Sequence, residues 1–143
     1  MMSEYTTSSA EETVALGQEL APKLRELHLV LLRGDLGAGK TTLTKGIAEG
    51  LSAAERDEVT SPTFTLVHEY HGPDRTLFHI DLYRIDTDRE LATLGLDDTL
   101  LEPGNILLIE WGEKFPRFVR ERDAEIVITR VSDTQRKIQF TTR

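Results

Sequence analysis

The chain contains no cysteine, which removes disulfides, thiolate metal sites and a cysteine nucleophile from consideration. Positive charge is also scarce: 17 Lys and Arg stand against 25 Asp and Glu, a formal net charge of −8. Holding a nucleic-acid backbone takes clustered positive charge that displaces counterions, so the chain by itself is a poor nucleic-acid binder. Long apolar runs are missing as well. Leu29–Leu32 and Ile106–Ile109 fall far short of the roughly 20 residues a membrane helix needs. The start, Met1-Met2-Ser3-Glu4, has neither the basic segment nor the apolar stretch of a secretory signal. No repeat, low-complexity tract or linker interrupts the chain. What remains is 143 residues, 38% hydrophobic and 29% charged, the profile of one soluble domain over residues 1–143, expected in the cytoplasm.

Apolar periodicity divides the chain into helices and strands. Leu16, Leu20, Leu24 and Leu27 recur at helical spacing, and Ser8 and Ser9 are each followed three residues later by Glu11 and Glu12, a capping pattern. Pro22 lacks an N–H and predicts a kink or an early stop. Leu29–Leu32 is apolar on both faces, as a central strand covered by helices must be. Leu43, Ile47 and Leu51 return to helical spacing, giving a helix over about 40–51. Residues 66–70 and 77–82 flank the turn His71-Gly72-Pro73-Asp74 and read as a hairpin. A short helix over 88–94 is expected to end at Gly95. Ile106–Ile109 is a second buried strand, and 124–131 and 137–142 read as a final hairpin. The pattern predicts an α/β domain with a mixed parallel and antiparallel sheet flanked by helices.

One motif dominates. Gly34-Asp35-Leu36-Gly37-Ala38-Gly39-Lys40-Thr41 matches the phosphate-loop (P-loop, Walker A) pattern G-x-x-x-x-G-K-[ST] at every fixed position, between a buried strand and an amphipathic helix. The chemistry accounts for the residue types. Backbone N–H groups converge on a triphosphate only if the chain wraps closely around it, and the dipole of the following helix adds to the attraction. Leu36, Gly37, Ala38 and Gly39 are expected to contribute mainly backbone N–H. Lys40 is expected to reach the β- and γ-phosphates, Thr41 to ligate Mg²⁺, and Thr42 to face the α-phosphate. No Asn-Lys-x-Asp segment of the guanine-reading kind is present, so ATP is the favoured nucleotide. The N-terminal helix and the final hairpin are candidate rests for the base. Arg136 is the candidate there, although its chemistry alone better suits a solvated turn residue.

Phosphoryl transfer also needs a carboxylate near the cation and something to orient the nucleophile. Glu110 directly follows Ile106–Ile109, at the edge of the sheet where a second acidic residue belongs. It is the candidate Mg²⁺ ligand; its plain alternative is an ordinary strand-end glutamate. In His79-Ile80-Asp81-Leu82-Tyr83-Arg84, alternation puts His79, Asp81 and Tyr83 on one face, suited to a proton or water relay or simply to a satisfied polar face. Thr60-Ser61-Pro62-Thr63-Phe64 lies where switch-type proteins sense the γ-phosphate, although its chemistry alone suits a plain loop. His28, His68 and His71 have no metal-ligand spacing, and Glu55–Glu58 reads as a solvated loop. Arg33 and Arg84 could act as an arginine finger, but nothing in the sequence selects them.

Taken together, Gly34–Thr42, Ser61-Pro62-Thr63-Phe64, His79–Arg84 and Ile109-Glu110-Trp111-Gly112-Glu113-Lys114 resemble the TsaE (YjeE) family. These are bacterial ATPases of tRNA threonylcarbamoyladenosine synthesis. The motifs occur in family order across nearly the whole chain, and the three later ones make the likeness specific. The resemblance implies a P-loop NTPase-like fold and ATP or ADP with Mg²⁺ held by Lys40, Thr41, Thr42 and Glu110. It also implies that Asp81 and Trp111 lie at the site and that residues 61–64 form a switch-like loop. It further implies an accessory role: docking on a TsaD–TsaB pair that modifies adenosine 37, with tRNA met only through those partners. A small-molecule kinase and a non-hydrolytic, nucleotide-gated binding module are the competing readings.

Overall fold

In the computed structural model, which describes residues 1–143, the first half of the chain forms β1 (Met2–Thr7), α1 (Ala10–Leu24), β2 (Leu29–Arg33), α2 (Lys40–Gly50), β3 (Val67–His71) and β4 (Thr76–Asp81). The second half forms α3 (Asp88–Ala92), α4 (Leu96–Leu101), β5 (Asn105–Glu110), α5 (Pro116–Glu121), β6 (Ala124–Arg130) and β7 (Arg136–Thr142), with short 3₁₀ turns at 56–58 and 112–114. The strands make one seven-stranded sheet in the order β1-β7-β6-β2-β5-β4-β3. Pairing is parallel for β6–β2, β2–β5 and β5–β4, and antiparallel at both margins.

The apolar runs explain why β2 and β5 are central. Alternate residues feed two separate cores: Val30, Leu32, Ile106 and Leu108 pack on the α1–α2 side, while Leu29, Leu31, Leu107 and Ile109 pack under α3, α4 and α5. A strand with apolar side chains on both faces is satisfied only between two helical layers. Asp123 fixes where β2 begins, because its Oδ2 accepts the N–H groups of His28 (2.8 Å) and Leu29 (3.0 Å).

At the start of α1, Ser9 Oγ accepts the Glu12 N–H (3.1 Å) while the Glu12 carboxylate accepts the Ser8 N–H (2.8 Å). The helix runs through Pro22 and stops at Leu24, so Leu27, expected on its apolar face, lies beyond its end and packs against the same core half-buried. Residues 55–58 are more ordered than a solvated loop: Arg56 binds both Glu11 and Glu49 and ties this turn to α1 and α2. The short helix after Thr87 ends at Ala92, and Gly95 (φ 64°) instead starts α4. No helix is long and apolar enough to cross a membrane.

Candidate functional site

The segment between β2 and α2 is the loop the motif predicts. Gly37 (φ 81°) and Gly39 (φ 108°) occupy the left-handed region that side chains rarely adopt. Gly39 caps α2 without any side-chain hydrogen bond, and none of the N–H groups of Gly39, Lys40, Thr41 and Thr42 is engaged by another group of the chain. These unpaired donors at the positive end of a helix dipole form an anion-binding concavity. Ala38 departs from expectation. Its N–H donates to the Asp35 carbonyl (3.0 Å), its methyl is buried, and its carbonyl accepts from Arg136 Nε (2.8 Å). It shapes the loop from within rather than offering a free donor. Leu36 sits at the loop's crest, 97% exposed.

Parallel pairing brings the acidic residues to this loop. The β4–β5 register sets Asp81 directly opposite Glu110, and the β2–β5 register sets Glu110 beside Leu32, just before the loop. Both carboxylates are 3% exposed, and Lys40 is buried with them. Lys40 Nζ lies 3.4 Å from Glu110 Oε1 and 5.0 Å from the centre of the Trp111 ring. His79 Nε2 stands 2.5 Å from the other oxygen, Glu110 Oε2. Burial pushes the Glu110 carboxyl up, but the hydrogen bond and charge of His79, joined by Lys40, outweigh it and hold the group below the ordinary carboxylate range. Glu110 is therefore an anion at neutral pH despite its burial.

Asp81 is held differently. Its Oδ1 accepts the Tyr83 N–H (2.9 Å) and its Oδ2 accepts the Thr63 hydroxyl (3.1 Å), which in turn meets Ser61 Oγ at 2.7 Å. The loop 60–66 is thereby fastened to the carboxylate end of β4. Two non-glycine residues in the left-handed region flank the site, Leu66 (φ 72°) and Trp111 (φ 63°), the kind of local strain that accumulates where backbone must turn sharply around a site. Trp111, directly after Glu110, packs against Tyr83 with ring centres 5.3 Å apart. Tyr83 itself lies past the end of β4, so it rims the site rather than lining the strand face with His79 and Asp81.

These groups surround a cavity of about 670 Å³ lined by Leu36, Gly37, Gly39, Lys40, Thr41, Thr42, Ser61, Thr63, Asp81, Tyr83, Glu110, Trp111 and Arg136. Of the residues expected to bind nucleotide or metal or to act on them, all but Ala38 line it, while His79, Pro62 and Phe64, expected on the relay face and in the switch-like loop, do not. A second hollow of about 300 Å³ shares Gly39, Thr42 and Arg136 with it and continues between Ser8, Ser9, Thr13 and Thr134. Arg136 is the first residue of β7, half-buried and bonded to the loop, not a solvated turn residue. Ser9 and Thr13, legible only as helix-capping and helix residues in the sequence, line this hollow because α1 packs alongside the loop.

Other candidates lie apart. Arg33 is flanked by Glu113 (3.8 Å) and Glu125 (3.6 Å), and Arg84 lies over the Phe64 ring at 4.4 Å. His68 bonds Thr65 and the Thr60 carbonyl, clasping the loop from β3. Lys114, which no spacing pointed to, donates to the carbonyls of Leu82 and Tyr83 and holds the segment after β4 in place.

A mixed sheet whose central parallel strand runs through this loop into a helix defines a P-loop NTPase-like protein. The chain belongs to the TsaE family: the family model described as threonylcarbamoyl adenosine biosynthesis protein TsaE matches residues 7–138. A Bacillus subtilis (strain 168) protein named tRNA threonylcarbamoyladenosine biosynthesis protein TsaE is 39% identical over 138 residues, spanning 96% of this chain and 84% of its own. A protein of the same name from Aquifex aeolicus (strain VF5) is 35% identical over 142 residues, spanning 98% and 96%. The crystal structure of Bacillus subtilis YdiB superposes with a TM-score of 0.76 at 35% identity, covering 99% of this chain and 86% of that one.

Proposed function

We propose that the chain binds ATP with Mg²⁺ in this cavity and hydrolyses it as an accessory to tRNA threonylcarbamoyladenosine synthesis, working on a TsaD–TsaB-type complex. The observation that carries the reading is the meeting of unpaired loop N–H groups, a buried lysine and two buried carboxylates around one cavity. Anionic phosphates complete the donors, and Lys40 supplies the compact positive charge that such phosphates take up. The family names of the relatives give the pathway.

The donor set suits Mg²⁺ held together with nucleotide and not a metal held by protein alone. No group of three or more His, Cys, Asp or Glu side chains is gathered to grip an ion, and magnesium in nucleotide sites typically takes one or two protein ligands plus phosphate oxygens and waters. Thr41 and Glu110 would hold it. Bound there, the ion would supply neutralising charge to the phosphates. Lys40, whose ammonium lies between Glu110 and the Trp111 ring, would meet the phosphates. Asp81 couples the site to loop 60–66 through Thr63 and orders the polar side of the cavity. Arg136 and the hollow beside Ser9 and Thr13 receive the base.

Two side chains lining the cavity face solvent, Leu36 and Tyr83 (58% exposed), and Phe64, in the loop fastened to Asp81, is 79% exposed. Exposed apolar groups on a rim are the raw material of a protein contact. A partner that closes over the mouth also relieves a chain of net charge −8 from having to hold tRNA itself. The test is calorimetric titration of ATP analogue with Mg²⁺ into the chain and into Lys40→Ala and Glu110→Ala. Lys40→Ala is expected to lose binding with or without Mg²⁺, and Glu110→Ala to lose chiefly the Mg²⁺-dependent part. Equal binding by all three overturns the site.

A further inference from the structure

His79 does not line the cavity and meets the site only through Glu110. It is wholly buried, and its Nδ1 has no hydrogen-bond partner at all. Its neighbour two residues back on β4, Leu77, and its cross-strand neighbour on β5, Leu108, both belong to the apolar core on the α1–α2 side. For packing alone an apolar residue is the better occupant of such a position, because a buried ring nitrogen left unpaired costs desolvation that nothing returns. The one polar contact the ring makes is the hydrogen bond from Nε2 to Glu110 Oε2.

That contact divides the labour of the Glu110 carboxylate. Oε2 is occupied by His79, and Oε1 is left for Lys40 at 3.4 Å, a long and weak contact by comparison. Without His79 nothing else within hydrogen-bond distance restrains Oε2, since the only polar side chains meeting Glu110 are His79 and Lys40. The carboxylate could then turn both oxygens to the lysine and hold the ammonium back.

We propose that His79 is a positioning residue that locks the Glu110 carboxylate so that a single oxygen, Oε1, is presented to the cavity for a divalent cation. The proposal rests on the nucleotide and Mg²⁺ reading above. It works as the hydrogen-bonding outer partners of ligating carboxylates do around metal sites: the ring would act only through the orientation of the ligand. The direction of donation follows from the chemistry of the pair. A carboxylate oxygen accepts, so Nε2 is the donor, and Nδ1 lies without a partner in the apolar core.

The experiment compares the parent chain with His79→Leu and His79→Gln, whose amide nitrogen reaches the place of Nε2. Mn²⁺ binding is read by electron paramagnetic resonance in the presence of the non-hydrolysable analogue β,γ-imido ATP, and binding of the same analogue in EDTA is read by calorimetry. His79→Leu is expected to weaken Mn²⁺ binding by about 10-fold or more, the usual effect of removing an outer-shell partner, with analogue binding in EDTA nearly unchanged. His79→Gln returns most of the lost Mn²⁺ affinity. In the ligand-free parent, ¹⁵N spectra of the imidazole show a protonated Nε2 whose signal shifts in Glu110→Ala. Unchanged Mn²⁺ affinity in His79→Leu overturns the positioning role while leaving the site reading intact. Equal weakening with and without metal, unrescued by glutamine, overturns it in favour of packing. A parent chain that binds neither analogue nor Mn²⁺ overturns the site reading and the proposal with it.

Discussion

Helix α2 carries Lys40, Thr41 and Thr42 at its first turn, so its seat on α1 decides where the loop lies. The two helices touch backbone to backbone at Gly17 and Gly46. A Cβ added at Gly46 would stand 2.0 Å from the Val14 carbonyl oxygen, 2.8 Å from its carbon and 2.9 Å from Gly17 Cα, where contacts under 3.0 Å essentially never occur. The obstacle is main chain, which cannot swing aside as a side-chain tip can. In Gly46→Ala the helices must part by about 1 Å, a gap that forfeits roughly a quarter to a half of the attraction in each contact across it. Overpacking of this kind costs about 1–3 kcal/mol or more, against a gain of about 1 kcal/mol in helix propensity. We expect a net loss of about 2 kcal/mol, toward the upper part of that range because the clash is with backbone. With a urea slope of about 1–3 kcal/mol per molar for a small protein, the midpoint falls by roughly 1 M. Gly104→Ala is the control, since its added Cβ would meet only the Asp74 carbonyl oxygen at 3.6 Å. Urea unfolding followed by circular dichroism reads both, and the same samples give analogue affinity, which should fall in Gly46→Ala alone. A Gly46→Ala midpoint at or above that of the parent would refute the reasoning, because helix propensity would then outweigh the contact.

Two further perturbations test the frame around the site. Asp123→Ala leaves the N–H groups of His28 and Leu29 without their acceptor and should destabilise the chain by about 1–3 kcal/mol in the same urea assay; a change near zero would mean that water replaces the carboxylate freely. Glu49 has its carboxyl lowered by the Arg56 hydrogen bond first and by Gln18 second. Its folded value lies below the ordinary 4.5 of the unfolded chain, so its contribution to stability is complete above that value and disappears as pH falls through the lower folded one. The difference in Tm between the parent and Glu49→Gln should therefore shrink on acidification from neutral pH, and a difference that stays constant would contradict the pairing.

The parts legible in the sequence are those where one local pattern has one structural solution. Leu29–Leu32 and Ile106–Ile109 could only be central strands, and the loop motif between the first of them and a helix left little freedom. The elements missed are those without such a pattern. Strand β1, Met-Ser-Glu-Tyr-Thr-Thr, is a polar edge that pairs only with β7, and α4 and α5 have six residues each, too few for a helical period to declare itself. Pro22 predicts a kink or an early stop, and the helix ends two residues beyond it, before Leu27, with Leu20, Ala21 and Leu24 packed into the core.

At the site, sequence separation set the limit. Alternation correctly put His79 and Asp81 on one face, but Asp81 stands opposite Glu110 only through the β4–β5 register, and His79 reaches Glu110 across 31 residues of chain. No local rule contains that contact. The Ala38 N–H, expected free from the motif, is spent inside the loop on Asp35, a detail of turn geometry that residue types alone do not specify. Arg136 likewise becomes part of the site only because the final hairpin pairs back beside β2.

The central claim is that the cavity between the loop and the two carboxylates turns over ATP in the service of a partner complex. Steady-state ATP hydrolysis with Mg²⁺ addresses it directly, measured for the chain alone, with a TsaD–TsaB pair, and with Lys40→Ala in place of the parent. The account predicts slow turnover alone, faster turnover with the pair, and none above background in Lys40→Ala under either condition. Turnover indifferent to the pair, or equal in Lys40→Ala, would contradict it.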